Sequence, residues 1–258
     1  PGEPVLQKTA TPEKFFYTKN ITMHFYVRWE APPRYNTPSE PFNYLVPTGD
    51  KLVEPAPLNL VLHCWGSNFL GKGGGYTWYG WKDRSRGIGV ASNQRPYDWW
   101  TTHHENMGTW KPWTEGVTRN TTPKRLLAFI DWVGTKRKID RTRMVVSGGS
   151  MGGSGSTFMA IRYPDVFAWN YGAVGIHDPA KAGGGFHESY ERNNGREKLD
   201  IRHESGPDAW DYLSDPKVVL AHPEIDLPFI GFGNGKNDHG IGWAHAIDLV
   251  EALQTARQ

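Results

Sequence analysis

The sequence has little cysteine, little net charge and no long apolar run, and each shortage excludes a class of protein. Its one cysteine, Cys64, rules out a disulfide within the chain. The 29 basic side chains nearly balance the 27 acidic ones, and the resulting net charge of +2 gives no reason to expect a nucleic acid or an anionic membrane as partner. No apolar run approaches the roughly 18 residues that a membrane-spanning helix needs. These shortages together indicate a soluble globular protein.

Two features favour a compartment outside the cytoplasm. The chain begins at Pro1 rather than at a methionine, so we expect that a preceding segment has been removed. Asn20-Ile21-Thr22 and Asn120-Thr121-Thr122 are glycosylation sequons, although such triplets also arise by chance. We therefore expect an extracellular or periplasmic protein.

Apolar and aromatic side chains are plentiful, and their patterns alternate between strand and helix. Strand patterns lie at 21–29, 42–47, 58–65, 87–94, 143–148, 167–176 and 227–233. Helical patterns lie at 121–136, 151–163 and 243–258. This alternation predicts a single α/β domain over residues 1–258, with a mostly parallel central sheet flanked by helices. Residues 1–41 are interpreted as an N-terminal strand and loop extension, and residues 178–226 as an insertion over the sheet.

Ser150 stands between a strand pattern and a helix pattern, in the glycine-rich stretch VVSGGSMGGSGSTF. Together with Gly148 and Gly152 it forms G-x-S-x-G, a pattern typical of a sharp strand-to-helix turn. Side chains at the two glycine positions would collide with neighbouring elements, whereas the serine hydroxyl is held above the sheet. The amide of Met151 then points to where an oxyanion would form. A phosphate-binding loop is excluded, because the G-K-[ST] ending is absent.

The segment KIDRTRMVVSGGSMGGSGSTFMAIRYPDVFA (138–168) resembles the elbow region of the α/β-hydrolase family. Within that family it is most similar to the secreted feruloyl esterases and polyhydroxybutyrate depolymerases. YLVP (44–47), followed by LNLVLHCWG, resembles their entry strand and oxyanion loop. The resemblance implies a serine esterase without metal or cofactor, acting on a small-molecule or polysaccharide ester, including carbohydrate-linked and polyester substrates. The GGSxGG form also occurs in prolyl-oligopeptidase-type peptidases, so it leaves the substrate class open.

The resemblance also implies two further site residues. The oxyanion loop of the family usually reads His-Gly-x-Gly, and the matching positions here place the second oxyanion amide at Trp65, with Cys64 where the family has glycine. The catalytic acid of the family follows a strand and a glycine-rich loop, which makes Asp238 the candidate here. Asp178, after the preceding strand, is the alternative acid.

The catalytic histidine is missing from the position that the resemblance implies. In the family it follows a helix and a last strand, whereas here the helix pattern at 243–258 runs to the final residue. We therefore expect the chain to be C-terminally incomplete, with the last strand and the histidine loop beyond residue 258. His177 and His239 are the alternative bases within the chain. The same reasoning predicts a further chain segment or partner that completes the open sheet edge.

Trp99 and Trp100 are the predicted substrate contacts. Together with Trp110 and Trp113 they follow a candidate strand, at the strand ends where open α/β sheets bind ligands. Flat indoles suit sugar rings or a phenolic acyl group, although packing of long loops would also explain them. Two alternatives to an esterase stay open: a prolyl-oligopeptidase-like serine peptidase, and a non-catalytic binding or assembly module that kept the hydrolase fold.

Overall fold

The computed structural model describes residues 2–11, 21–37, 39–70 and 86–258. Its strands are β1 (Val5–Ala10), β2 (Ile21–Glu30), β3 (Glu40–Gly49), β4 (Ala56–Leu62), β5 (Ile88–Ser92), β6 (His103–His104), β7 (Val117–Arg119), β8 (Ile139–Gly149), β9 (Trp169–Ala173), β10 (Arg202–His203) and β11 (Phe229–Gly233). Its α-helices are α1 (Thr121–Lys136), α2 (Met151–Arg162), α3 (Phe186–Asn194), α4 (Ala209–Leu213), α5 (Asp215–Ala221) and α6 (Ala244–Ala256).

Eight strands form the central sheet in the order β1-β2-β3-β5-β4-β8-β9-β11. The strands from β5 to β11 in this order run parallel, whereas β1, β2 and β3 pair antiparallel at one end. Three short strands, β10-β7-β6, make a second small sheet. The predicted α/β-hydrolase fold with a mostly parallel sheet is confirmed.

The central strands are apolar because both of their faces are covered. Leu58 and Leu60 of β4 and Val146 of β8 belong to the main core, which also contains Phe129 of α1 and Phe158 of α2. On the other face, a smaller cluster joins Ile21, Met23, Leu45, Val61 and Ala91. The sheet is therefore packed on both faces beneath the loops at the carboxyl ends of its parallel strands.

Residues 178–226 form α3, α4, α5 and β10, together with a 3-10 turn at Pro179–Lys181. Helix α5 packs against α6, and Val219 of α5 shares a buried cluster with Ile161 of α2 and Leu249 of α6. Trp99 joins α3 to the loop after β5 through a bond from its indole Nε1–H to Ser189 Oγ, 3.0 Å. The segment is thus packed onto the α/β core.

Strand β11 ends the sheet and, within the described ranges, pairs only with β9. Phe229 of β11 is 71% exposed and Tyr171 of β9 is 37% exposed. The side of β11 away from β9 is therefore an open edge bordered by aromatic side chains. No helix within the described ranges is long and apolar enough to cross a membrane.

Candidate active site

Ser150 occupies a sharp turn between the last residue of β8 and the first residue of α2. Its φ of 53° and ψ of −120° lie in a region that residues other than glycine rarely adopt. The backbone N–H of Ser150 donates to the Ala173 carbonyl at 2.8 Å, and its own carbonyl accepts from the Ser154 amide at 3.0 Å. These bonds hold the serine in a strained conformation, a feature typical of functional sites.

The two glycines of the motif are required by close backbone approach. A Cβ at Gly148 would lie 2.5 Å from the Gly152 carbonyl oxygen and 2.7 Å from the Leu62 carbonyl oxygen. A Cβ at Gly152 would lie 2.1 Å from that same Leu62 oxygen. The turn, the first residues of α2 and the end of β4 therefore meet with no room for a side chain, as the sequence pattern predicts.

Ser150 opens into a cleft of about 430 Å³ at the carboxyl ends of the parallel strands. The lining residues come from the oxyanion loop, the elbow, the end of β9, α3 and the loop before α6: Cys64, Gly149, Ser150, Ala173, Val174, Phe186, Asp238, Gly240 and Ile241. Val174 has a φ of 54°, an unusual backbone conformation for a β-branched residue. Apart from Ser150 and Asp238, the cleft wall is mostly apolar.

Asp238 shares this cleft with Ser150, and its carboxylate is held in one orientation. Its Oδ1 accepts from the Gly240 amide at 2.9 Å and from the Ile241 amide at 3.0 Å. The loop is tied to the strand ends by a bond from the Val174 amide to the Gly233 carbonyl, 2.7 Å. Oδ1 is thus occupied by backbone donors, which leaves Oδ2 as the carboxylate oxygen to orient another group.

Asp178, the alternative acid, has a different environment. Its carboxylate accepts from the Ala180 amide at 3.2 Å and so caps the 3-10 turn. Burial raises the pKa of Asp178 above its usual value, and the residue is not among those that line the cleft. The position beside Ser150 is filled by Asp238.

The amides assigned to an oxyanion hole, those of Met151 and Trp65, have no acceptor among the residues the structure describes. Met151 is the first residue of α2, where the amide has no partner within the helix. Trp65 follows β4 in a turn whose Cys64 lines the cleft. Both amides are therefore free to donate to a ligand.

His63 fixes the backbone that leads to Trp65. The Gln94 amide donates to Nε2 of His63 at 3.0 Å, so the ring proton lies on Nδ1, which donates to the Cys64 carbonyl at 2.9 Å. Burial lowers the pKa of His63 to about 4, which keeps the ring neutral near pH 7. His63 is therefore part of the loop structure rather than a general base.

The ten histidines all fall within the described ranges, and none lines the cleft. His177 is fully buried, with Nδ1 3.4 Å from Asp215, and Asp215 also pairs with Arg162. His239 is exposed next to Asp238. The structure thus brings Ser150 and Asp238 together without placing either alternative histidine between them.

Trp99 and Trp100, the predicted substrate contacts, are both 0% exposed. The indole of Trp99 stacks on Tyr190, with 5.0 Å between ring centroids, and the indole of Trp100 donates to the His63 carbonyl at 2.9 Å. Neither ring can stack on a substrate in this structure, so the predicted contacts are not supported. The two side chains are instead buried beneath the cleft and pack against the elements that form it.

Aromatic side chains do reach the site from other positions. The Trp65 ring is 39% exposed and lies 4.8 Å from the Tyr97 ring. Phe186 of α3 lines the cleft and packs on Trp99 at 5.0 Å between centroids. Phe186 and Ile241 were missed by sequence reasoning, because nothing in their local pattern shows that the 178–226 segment and the loop before α6 converge on Ser150.

Comparison with known proteins places the molecule among the hydrolases. Residues 108–258 match the prolyl oligopeptidase family, whereas no curated protein matches the sequence. An S-formylglutathione hydrolase from Agrobacterium tumefaciens superposes with a TM-score of 0.64 at 14% identity, over 96% of this chain and 86% of the other.

Two peptidases are also similar in structure. The acylaminoacyl peptidase of Pyrococcus horikoshii gives a TM-score of 0.63 at 11% identity, over 93% of this chain and 36% of the peptidase. Dipeptidyl peptidase 4 of Porphyromonas gingivalis gives a TM-score of 0.57 at 11% identity, over 93% of this chain and 31% of the peptidase. The chain thus spans about a third of the peptidases it resembles. At these identities the superpositions show the fold alone.

Proposed function

Because the chain belongs to the prolyl oligopeptidase family of serine hydrolases, we propose that it is a carboxylic-ester hydrolase with Ser150 as its nucleophile. The observation that carries the proposal is the placement of Ser150. The residue is strained, only partly buried and opens into a cleft that also contains the fixed carboxylate of Asp238. A serine that merely filled a turn would not need this conformation.

In the proposed mechanism, Ser150 Oγ attacks the ester carbonyl carbon while a histidine takes the hydroxyl proton. The amides of Met151 and Trp65 donate to the developing oxyanion, and Asp238 Oδ2 accepts from the imidazole and fixes its tautomer. The alcohol leaves with that proton, and water then hydrolyses the acyl-enzyme. Because no histidine of residues 1–258 lines the cleft, we propose that the base comes from sequence outside this segment.

The cleft wall favours an apolar or aromatic acyl group. Ala173, Val174, Phe186 and Ile241 surround Ser150 with apolar surface, and the half-exposed Trp65 lies at the oxyanion loop. A phenolic acid or a polyester unit would bury its apolar surface against these side chains. The proposed substrates are therefore carbohydrate-linked or polyester esters, as the resemblance to feruloyl esterases and polyhydroxybutyrate depolymerases also implies.

A serine peptidase is the second candidate, and the family match favours it. The same serine, amides and carboxylate would cleave a peptide bond by the same steps. The distinction depends on whether the site protonates an amine leaving group efficiently, and it is decided by comparing activated esters with amides.

The test uses the full natural chain and measures hydrolysis of p-nitrophenyl butyrate, methyl ferulate and aminoacyl p-nitroanilides. We expect ester hydrolysis, and Ser150→Ala should lower kcat/KM by at least about a thousandfold, because the nucleophile is lost. Ser205→Ala, which changes an exposed serine in the 178–226 segment, is the control and should retain activity. Preference for the anilides would establish the peptidase instead, and unchanged hydrolysis by Ser150→Ala would overturn the proposed nucleophile.

A further inference from the structure

Trp99 and Trp100 form a strained turn immediately beneath the candidate active site. Their φ angles are 60° and 61°, in the left-handed region that bulky residues rarely adopt. Asp98 holds the turn: its Oδ1 accepts from the Trp100 amide at 2.9 Å, and its backbone carbonyl accepts from the Thr101 amide at 3.1 Å. These hydrogen bonds fix the conformation, as is usual for backbone strain at functional sites.

The side chain of Trp100 contacts both elements that carry the proposed oxyanion amides. Its Nε1–H donates to the His63 carbonyl at 2.9 Å, just before the loop that leads to Trp65. On the opposite side, a Cβ at Gly155 of α2 would lie 2.2 Å from the Cβ of Trp100. The helix that begins at Met151 therefore rests directly on Trp100, and the oxyanion loop is bonded to it.

Two hydrogen bonds fix the two successive peptide groups that lead to the Trp65 amide, one from the Trp100 indole and one from the His63 ring. Trp100 holds the carbonyl of the His63–Cys64 peptide, and the His63 ring holds the carbonyl of the Cys64–Trp65 peptide. In a planar trans peptide the N–H points opposite to the C=O, so the second bond sets where the Trp65 N–H points. The His63 ring also packs against the Trp100 indole, with 4.9 Å between centroids.

From these contacts we infer that Trp100 is a positioning residue for the oxyanion hole. It sets the separation and direction of the Met151 and Trp65 amides without contacting the substrate. The inference rests on the proposed function of Ser150 and extends it, because it assigns transition-state stabilisation to a buried side chain. Donors that are fixed in advance stabilise a developing oxyanion without reorganising during the reaction.

The test is Trp100→Phe in the full natural chain, which removes the indole N–H and keeps an aromatic ring. We expect kcat for p-nitrophenyl butyrate to fall at least about tenfold, because small displacements of catalytic donors have large effects. KM should stay within about twofold, because ground-state binding does not use the oxyanion amides fully. Inhibition by phenylboronic acid, which forms a tetrahedral adduct with an active serine, should weaken by a factor similar to that of kcat.

The matched control is Trp210→Phe. The indole N–H of Trp210 donates to the Gly195 carbonyl at 3.2 Å, and the residue is also buried, at 3% exposed, but lies in α4, away from the cleft lining. This variant should lose stability comparable to that lost by Trp100→Phe while retaining kcat. Thermal melting of both variants separates a loss of folded protein from a loss of catalysis.

Unchanged kcat and unchanged boronate inhibition in a folded Trp100→Phe variant would overturn the inference, as would an equal loss of kcat in Trp210→Phe. If Trp100→Phe does not fold, Asp98→Ala decides, because it leaves Trp100 in place and removes the oxygen that accepts from the Trp100 amide. A folded Asp98→Ala variant with parental kcat would then refute the positioning role. Persistent hydrolysis by Ser150→Ala is a separate result, which overturns the proposed function and this inference with it.

Discussion

Asp238 and Asp178 both follow parallel strands near Ser150, but their carboxylates have different surroundings. Asp238 lines the cleft, with Oδ1 bound to two backbone amides, whereas Asp178 caps a 3-10 turn. Under the proposed function, Asp238 is therefore the carboxylate that orients an imidazole beside the serine. The two positions therefore allow a paired substitution that tests the assignment of the acid.

We expect Asp238→Asn in the full natural chain to lower kcat at least about a hundredfold. The asparagine oxygen can still accept from the amides of Gly240 and Ile241, but its NH₂ group favours the wrong imidazole tautomer. Asp178→Asn should keep kcat, because asparagine caps a turn about as well as aspartate. Steady-state hydrolysis of p-nitrophenyl butyrate measures both, and a large loss in Asp178→Asn with none in Asp238→Asn would reverse the assignment.

At single positions, the sequence predicted the residues whose roles depend on local backbone geometry. Gly148 and Gly152 could be predicted because the turn around Ser150 leaves no room for a Cβ, and the structure shows both close approaches. The orientation of Trp99 and Trp100 could not be predicted. Their burial depends on two successive left-handed residues and on contacts with α2 and α3, none of which leaves a local pattern.

Among secondary-structure elements, the long parallel strands and the three long helices were predicted and the short strands were not. The apolar stretches of β4, β5 and β8 are visible because both faces of those strands are covered. Strand β1 was missed because most of its side chains are exposed, and β6, β7 and β10 were missed because each has only two or three residues. Such strands are defined by the partners that tertiary packing supplies.

Helix α2 approaches the end of β4 so closely that one methyl group at the interface should be costly. We expect Gly152→Ala to lower the free energy of unfolding by at least about 3 kcal/mol, because the new Cβ would meet the Leu62 backbone carbonyl at 2.1 Å. The backbones of α2 and of β4 cannot move aside as a flexible side chain would. Urea denaturation followed by circular dichroism measures the change.

Gly233→Ala is the matched control for that substitution. A Cβ at Gly233 meets nothing within 4 Å, and the residue is not in the left-handed region. Its free energy of unfolding should stay within about 0.5 kcal/mol of the parent, as for ordinary surface changes. Equal stability of the two variants would show that α2 and β4 are not in close contact.

On the scale of the whole molecule, the open side of β11 is a surface available for pairing with other chains. Its backbone pairs with β9 on one side only within the described ranges, and Trp169, Tyr171 and Phe229 project from the same face of the two strands. Phe229 is 71% exposed, an unusual environment for a large apolar side chain. An unpaired edge beside exposed aromatic surface favours association, unless another segment or a partner covers it.

We therefore expect residues 1–258, produced alone, to self-associate through this edge, with Phe229→Lys reducing the association. A lysine at an edge strand opposes pairing because its charge would have to be desolvated or placed beside a second copy of itself. Val53→Lys is the control, since Val53 is 74% exposed in the loop between β3 and β4 and should not affect the edge. Sedimentation velocity over a concentration series measures the association. If residues 1–258 stay monomeric at every concentration, β11 is not the contact. The same conclusion holds if Val53→Lys reduces the association as much as Phe229→Lys does.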